Sequence, residues 1–263
     1  MIKTCVIFAG GLGTRLMPIT ETVPKPLVNI GNRPILWHLI KYLSVFGVRK
    51  FVIATGYKHE KVVEYWTNYW KSNPKELGIK QEKGKASFSR KMENWETIIK
   101  NTGFKNGTAS RLMQIKDNVD DDKFMVAYGD NLADIDINAL ENAYEKSSSK
   151  GRLGVISVYR PISRFGVVKF NGDAIEKFTE KPRLDHYINI GFMVFSKEIF
   201  PYMEKLGIKP DDMIEPVLLT SLAKQGKLGH YKHEGFWEPM DAYRDYMHLN
   251  KLWEENKAPW RKW

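Results

Sequence analysis

A chain of 263 residues, 43% hydrophobic and 27% charged, can bury a substantial core and has the profile of a water-exposed globular protein. Its single cysteine, Cys5, excludes an intramolecular disulfide and fits a reducing, cytoplasmic setting, and the absence of any apolar run of about eighteen residues argues against a membrane partner. The formal net charge is +10, but its 41 Lys and Arg are interleaved with 31 Asp and Glu, which argues against a nucleic-acid partner and for a field that gathers anionic ligands.

In chain order, Thr4 to Phe8 reads as a buried strand that breaks into Gly10, Gly11 and Gly13, followed at once by Thr14 and Arg15. A loop without β-carbons lets backbone N–H groups close around an anion, and the planar fork of an arginine suits phosphate. Leu16 stands where a dinucleotide fingerprint needs its third glycine, and no Gly-Lys-Ser/Thr triplet occurs, so two commoner phosphate loops are excluded. Next comes Val23-Pro-Lys-Pro-Leu27, in which two prolines hold Val23 and Lys25 extended. A stiff arm therefore carries a point charge close behind the glycine loop.

Pro34 to Phe46 places Leu36, Leu39, Ile40 and Leu43 at helical spacing, with Pro34 in the first turn and Gly47 as the stop. Lys50 to Ala54 reads as a second strand and His59 to Trp70 as an amphipathic helix. Residues 71–95 are polar, lysine-rich and weakly periodic, which suggests an excursion from the core. Phe124 to Tyr128 reads as a buried strand and Ile137 to Ser149 as a helix. Short β-like runs follow at 152–159, 166–170, 174–178 and 187–195. A helix over Met213 to Lys224, a strand over Leu228 to His233 and a closing helix over Asp241 to Asn256 complete the chain. Alternating strands and helices argue for a mainly parallel sheet in an α/β fold.

Two carboxylates stand out. Asp130 ends a buried run after Gly129, at the carboxyl edge of a strand where such sheets present ligands. Asp241 stands where a helix N-cap would, and can serve as cap, metal ligand or both.

Ala9-Gly-Gly-Leu-Gly-Thr-Arg15 with Pro24-Lys-Pro26 resembles the signature of the sugar-1-phosphate nucleotidyltransferases. Within that family, Gly235-Phe-Trp-Glu-Pro-Met-Asp241 and the ending Lys257-Ala-Pro-Trp-Arg-Lys-Trp263 are similar to the glucose-1-phosphate cytidylyltransferases. The resemblance implies a Rossmann-like, mainly parallel mixed sheet flanked by helices, in a single nucleotidyltransferase domain over 1–263. Its catalytic core would span 1–210, and a small strand-helix appendage over 211–263 would contribute Asp241. It also implies Mg²⁺-dependent transfer of a cytidylyl group from CTP to a sugar 1-phosphate, with α-D-glucose 1-phosphate the first choice, and a homo-oligomer. Arg15, Lys25 and Asp130 would carry the catalysis, with Asp130 and Asp241 holding the metal. Phe8, Ala9, Gly10, Gly11, Leu12, Gly13, Thr14, Asn106, Gly107, Arg111 and Gly129 would surround the nucleotide with Arg15 and Lys25. Gly166, Glu180, Lys181 and Asn189 would meet the sugar phosphate.

Two departures bear on specificity. The Thr-Gly-Gly-Arg stretch of the cytidylyltransferases appears as Gly107-Thr-Ala-Ser-Arg111, so uracil stays open beside cytosine. The family's Asn-Gly-Gly-Phe appears as Asn189-Ile-Gly-Phe192, and Ile190 would crowd the sugar if it faced the ligand, leaving another phosphorylated sugar or polyol open.

Overall fold

The computed structural model describes residues 1–71, 78–82, 85–90 and 95–263. Strand β1 (Thr4–Ala9) is buried along its whole length, and helices α1 (Ile19–Thr22) and α2 (Ile35–Val45) follow it, with the short strands β2 (Asn29–Ile30) and β3 (Arg33–Pro34) between them. Strand β4 (Lys50–Thr55), helix α3 (His59–Lys71), strands β5 (Gly78–Glu82), β6 (Lys85–Arg90) and β7 (Trp95–Asn101) and helix α4 (Thr108–Gln114) come next. Then come β8 (Lys123–Tyr128), β9 (Asn131–Ala133), α5 (Ile137–Ser148), β10 (Gly154–Tyr159), β11 (Val167–Asn171), β12 (Ala174–Thr179), β13 (Ile188–Ser196) and α6 (Ile199–Leu206). A π-helical segment over Ile214–Leu219 leads into α7 (Thr220–Lys224), and β14 (Leu228–Lys232), β15 (Trp237–Pro239) and α8 (Tyr243–Glu254) close the chain.

Nine strands form one mixed sheet in the order β14-β10-β13-β8-β1-β4-β7-β6-β5. β8, β1, β4 and β7 run parallel, while β13 lies antiparallel between β8 and β10. The parallel strands are apolar on both faces, as strands covered on both sides by helices must be. Side chains alternate accordingly. Cys5, Ile7 and Ala9 join the core formed with α2, α3, α5 and α8, whereas Val6 and Phe8 join the core formed with α4, α6 and the 214–222 segment.

From β1 the chain steps to β4 on one side and later returns to place β8 on the other. The carboxyl end of β1 is therefore beside a topological switch point, where an open α/β sheet leaves a crevice for ligands. The glycine loop leaves β1 there, and Asp130 follows β8.

Three expectations change. Within the expected excursion over 71–95, residues 78–82 and 85–90 are strands that extend the sheet antiparallel from β7; the remainder lies outside the described residues, apart from Lys71, the last residue of α3, and Trp95, the first of β7. The expected helix over Met213 to Lys224 begins as a π-helix, and the closing helix starts at Tyr243 rather than at Asp241.

The turn between β2 and β3 anchors the C-terminal helix α8. Gly31, at φ 61 in the turn between β2 and β3, lies against the Trp253 indole, and its N–H donates to Asn250 Oδ1 at 2.8 Å. Beneath it, the buried His38 ring meets Ile30 O through Nε2 at 2.8 Å and accepts from the Trp260 indole at Nδ1, 3.4 Å. Trp260 has no exposed surface, so the segment after α8 is packed into the core, while Arg261, Lys262 and Trp263 beyond it are exposed.

Candidate active site

Each glycine of the loop is small for a different reason. Gly13 adopts φ 65, left-handed geometry, and a β-carbon there would press on Lys25 and Thr20. A β-carbon on Gly10 would strike the Arg111 guanidinium. At Gly11 a β-carbon would meet no protein atom within 4 Å, so the space beside it is left for something other than protein.

Behind the loop, Lys25 Nζ lies 2.6 Å from Asp130 Oδ2 and 2.6 Å from Asp241 Oδ1. Arg15 Nη1 reaches Asp241 Oδ2 at 3.3 Å while remaining largely open to solvent. Burial works against the Lys25 charge, yet the two carboxylates outweigh it and raise its pKa above the ordinary lysine value. Burial likewise opposes the Asp241 charge, but the Lys25 hydrogen bond and the charges of Lys25 and Arg15 bring its pKa below the usual range.

The strand pair β9–β15 brings the aspartates together. Asn131 lies opposite Pro239, and Met240 N donates to Asp130 O at 2.9 Å, so the ladder runs directly into the site. Asp241 does not cap α8. Its own N–H and that of Ala242 donate to Asp245 Oδ2, at 3.1 and 2.8 Å, which leaves the Asp241 carboxylate free to face Lys25.

Three contiguous cavities run along the crevice. The first, about 370 Å³, is lined by Gly10, Asn106, Thr108 and Arg111 and shares Phe8, Gly11, Leu12 and Met213 with the second. The second, about 430 Å³, adds Ala9, Gly13, Thr14, Arg15, Lys25, Tyr128, Asp130 and Asp241. The third, about 680 Å³, meets the second at Asp241 and contains Arg164, Trp237, Glu238, Arg244 and His248.

Most of the expected nucleotide residues thus line the first two cavities. Arg111 does so while being almost wholly buried. Its guanidinium donates to Thr55 O (2.9 Å), Thr102 Oγ1 (2.6 Å), Gly10 O (3.3 Å) and Phe104 O (3.5 Å), and burial lowers its pKa. Gly107 and Gly129 line none of the three. Gly107 packs on the backbone of Asp211 and Asp212, and Gly129 donates its N–H to Phe8 O at 2.9 Å.

The expected sugar-phosphate residues are not gathered in these cavities. Glu180 and Lys181 are both exposed and lie 3.3 Å apart. Gly166 packs under the Phe178 ring, and Asn189 Oδ1 accepts from Gly191 N at 3.1 Å. Ile190 is turned into the core, at 1% exposure, so it does not crowd the crevice. Gly191 is the position that demands glycine, at φ 80 with the Tyr128 ring where a β-carbon would be.

Tyr128, Met213, Arg164, Glu238 and Asp245 were not expected at the site. Tyr128 closes the second cavity and hydrogen-bonds Glu215 from the π-helical segment, an irregularity of the kind often found at functional sites.

The family model for nucleotidyl transferases matches residues 4–256. This chain belongs to that family. It is 36% identical over 259 residues to a probable glucose-1-phosphate cytidylyltransferase of Bacillus subtilis, covering 98% of this chain and 99% of that one. It is 37% identical over 260 residues to the glucose-1-phosphate cytidylyltransferase of Salmonella typhimurium, covering 98% of each. The fold is similar to that of a putative glucose-1-phosphate thymidylyltransferase from Bacillus anthracis, with a TM-score of 0.69, 21% identity and coverage of 96% and 95%. The chain places its glycine loop, Lys25, Asp130 and Asp241 around one crevice.

Proposed function

We propose that the protein transfers a cytidylyl group from CTP to α-D-glucose 1-phosphate, giving CDP-glucose and pyrophosphate. The observation that carries nucleotidyl transfer is the single Lys25 ammonium held between Asp130 and Asp241 beside an open glycine loop. Support for the cytidylyl and glucosyl halves comes from two relatives of that description that match nearly the whole chain.

An oxygen of the sugar phosphate attacks the α-phosphorus of the nucleotide. The bond to the bridging oxygen breaks, and pyrophosphate leaves with the electron pair. No covalent enzyme intermediate is needed, so the protein's task is positioning and neutralisation. Loop N–H groups and Arg15 hold the phosphates, and Lys25 follows the charge as it moves to the leaving group.

Magnesium fits the donor set. Two carboxylates converge on one cation-sized point, and Mg²⁺ takes one or two carboxylates together with water and phosphate oxygens. Asp130 and Asp241 would hold it, and when bound it neutralises phosphate charge.

A homo-oligomer in the cytoplasm completes the reading. The β11–β12 hairpin exposes Phe170, Ile175 and Phe178, with Phe165 exposed just before it, and a second copy would cover these side chains. Measured mass in solution tests this.

Pyrophosphate release measured across the four nucleoside triphosphates and a panel of sugar phosphates tests the chemistry. Turnover highest with CTP and α-D-glucose 1-phosphate is expected. A clear preference for another pair would replace these substrates, and no release with any pair would end the reading.

A further inference from the structure

The glycine loop is held at both ends by one dipeptide outside the crevice, Tyr57-Lys58, in the turn between β4 and α3. Tyr57 N donates to Gly10 O at 3.3 Å, where the loop begins. Beyond its far end, Lys58 Nζ donates to Glu21 O and lies 3.4 Å from Thr20 O, which the Tyr57 hydroxyl also meets at 3.4 Å. These carbonyls belong to the single turn of α1, which has no further turn to supply N–H donors, and a lysine can take their place. Tyr57 and Lys58 line none of the three cavities, so neither is placed to touch a ligand there.

Thr20 passes the restraint inward. It is 1% exposed, and its hydroxyl donates to Gly13 O at 2.9 Å. The place of a Gly13 β-carbon is 3.1 Å from the Thr20 methyl and 3.0 Å from Lys25 Cβ, so Thr20, Gly13 and Lys25 pack as one unit. On the opposite wall the Tyr57 ring packs on Phe104, centroids 6.0 Å apart, and Phe104 lines the first cavity. The backbone of Lys58 points the same way. It adopts φ 50, left-handed geometry that Lys181 and Asn256 alone share among the described non-glycine residues. Glycine or asparagine would adopt that geometry with less strain, so the turn itself does not call for lysine. What lysine adds is an ammonium that reaches α1.

We propose that Lys58 is a positioning residue for the nucleotide. By fastening Thr20 and Glu21, just after the glycine loop, it holds the loop N–H groups and Lys25 in the one arrangement that receives a triphosphate. This rests on the nucleotidyl-transfer reading above and adds to it a residue outside the crevice.

The test compares wild type with Lys58→Asn, Lys58→Arg and Lys61→Asn in thermal melts and in steady-state kinetics, varying each substrate separately. Asparagine keeps the left-handed turn but is too short to reach α1, whereas arginine keeps the donors. Lys61, which meets Glu64 at 4.0 Å, controls for the loss of one positive charge. Lys58→Asn should raise the nucleotide KM roughly 3- to 10-fold, the scale of losing a charge-assisted hydrogen bond at a partly exposed site. Its acceptor KM should stay within about twofold, the scale of no lost contact, and its Tm close to that of wild type. Lys58→Arg should recover most of the loss, and Lys61→Asn should match wild type. A contact that only supports the fold would lower Tm and leave the nucleotide KM where it was. An unchanged nucleotide KM in Lys58→Asn overturns the assignment, as does an equal rise in both KM values or in Lys61→Asn. Should the wild type turn over no substrate pair, the reading of function fails by itself. The assignment is then decided by calorimetric titration with each of the four nucleoside triphosphates and Mg²⁺. Binding that weakens in Lys58→Asn supports it, and equal binding or none in the wild type overturns it.

Discussion

Lys25 Nζ donates to Asp241 Oδ1 at 2.6 Å across 216 residues of chain, while the same ammonium lies 2.6 Å from Asp130. One cation thus holds together two carboxylates that would otherwise repel. With a phosphorylated ligand present, the same three groups supply both signs of charge that the exchange of a phosphoanhydride requires.

Lys25→Met should lower kcat/KM by roughly 10²–10³, the scale of removing a preorganised charge stabiliser. The pH dependence has a definite sign. The Lys25 pKa is raised, so its contribution to stability is complete below the unfolded value of 10.5 and is lost as pH rises through the higher folded value. The Asp241 pKa is lowered, so its contribution is present above 3.8 and is lost as pH falls through the lower folded value. Thermal melts should therefore show Lys25→Met narrowing the difference between wild type and variant at both extremes.

Gly11→Ala and Gly10→Ala should behave oppositely. Alanine at 11 meets no protein atom, so Tm should hold while the nucleotide KM rises. Alanine at 10 must displace the buried Arg111 guanidinium, so stability should fall by an amount typical of overpacking, about 1–3 kcal/mol, and Tm with it. Equal melting losses in both variants would contradict the claim that the space at Gly11 is kept for ligand.

Asp245→Ala should release the backbone N–H groups of Asp241 and Ala242. The loss of an N-terminal capping contact costs about 0.5–2 kcal/mol, and kcat should drop as the Asp241 carboxylate loses its fixed direction. Because Asp245 is not in the Lys25 cluster, a melting loss with kcat intact would limit it to a structural role.

Burial lowers the His38 pKa to about 4, against 6.5 for the free side chain. The unfolded chain then binds the extra proton first on acidification, so stability falls from about pH 6.5 towards pH 4, by up to about 3 kcal/mol. His59 is lowered in the same sense, by burial, and would keep part of that slope. His38→Gln should flatten it, as read from Tm against pH, even while lowering Tm throughout by loosening Trp260.

Much of the nucleotide end was legible from local chemistry. The alternation and apolarity of residues 4–8 and 124–128 identify central strands, and glycines and prolines identify a loop and a stiff arm. Harder to read were the short helices over Thr108–Gln114 and Ile199–Leu206 and the strands over Gly78–Glu82 and Lys85–Arg90, whose apolar periods are too short or too polar to stand out. Arg111 offered no local sign that its guanidinium is spent on protein oxygens.

By itself, the sequence determined the parts: a glycine loop after a buried strand, an extended lysine, carboxylates at element ends. These follow from φ restriction and side-chain alternation, which act within a few residues. Only the tertiary structure decided which parts meet. Asp241 reaches Lys25 because β15 pairs with β9 and because α8 is fastened to the β2–β3 turn, and pairing between distant segments depends on how the whole core packs.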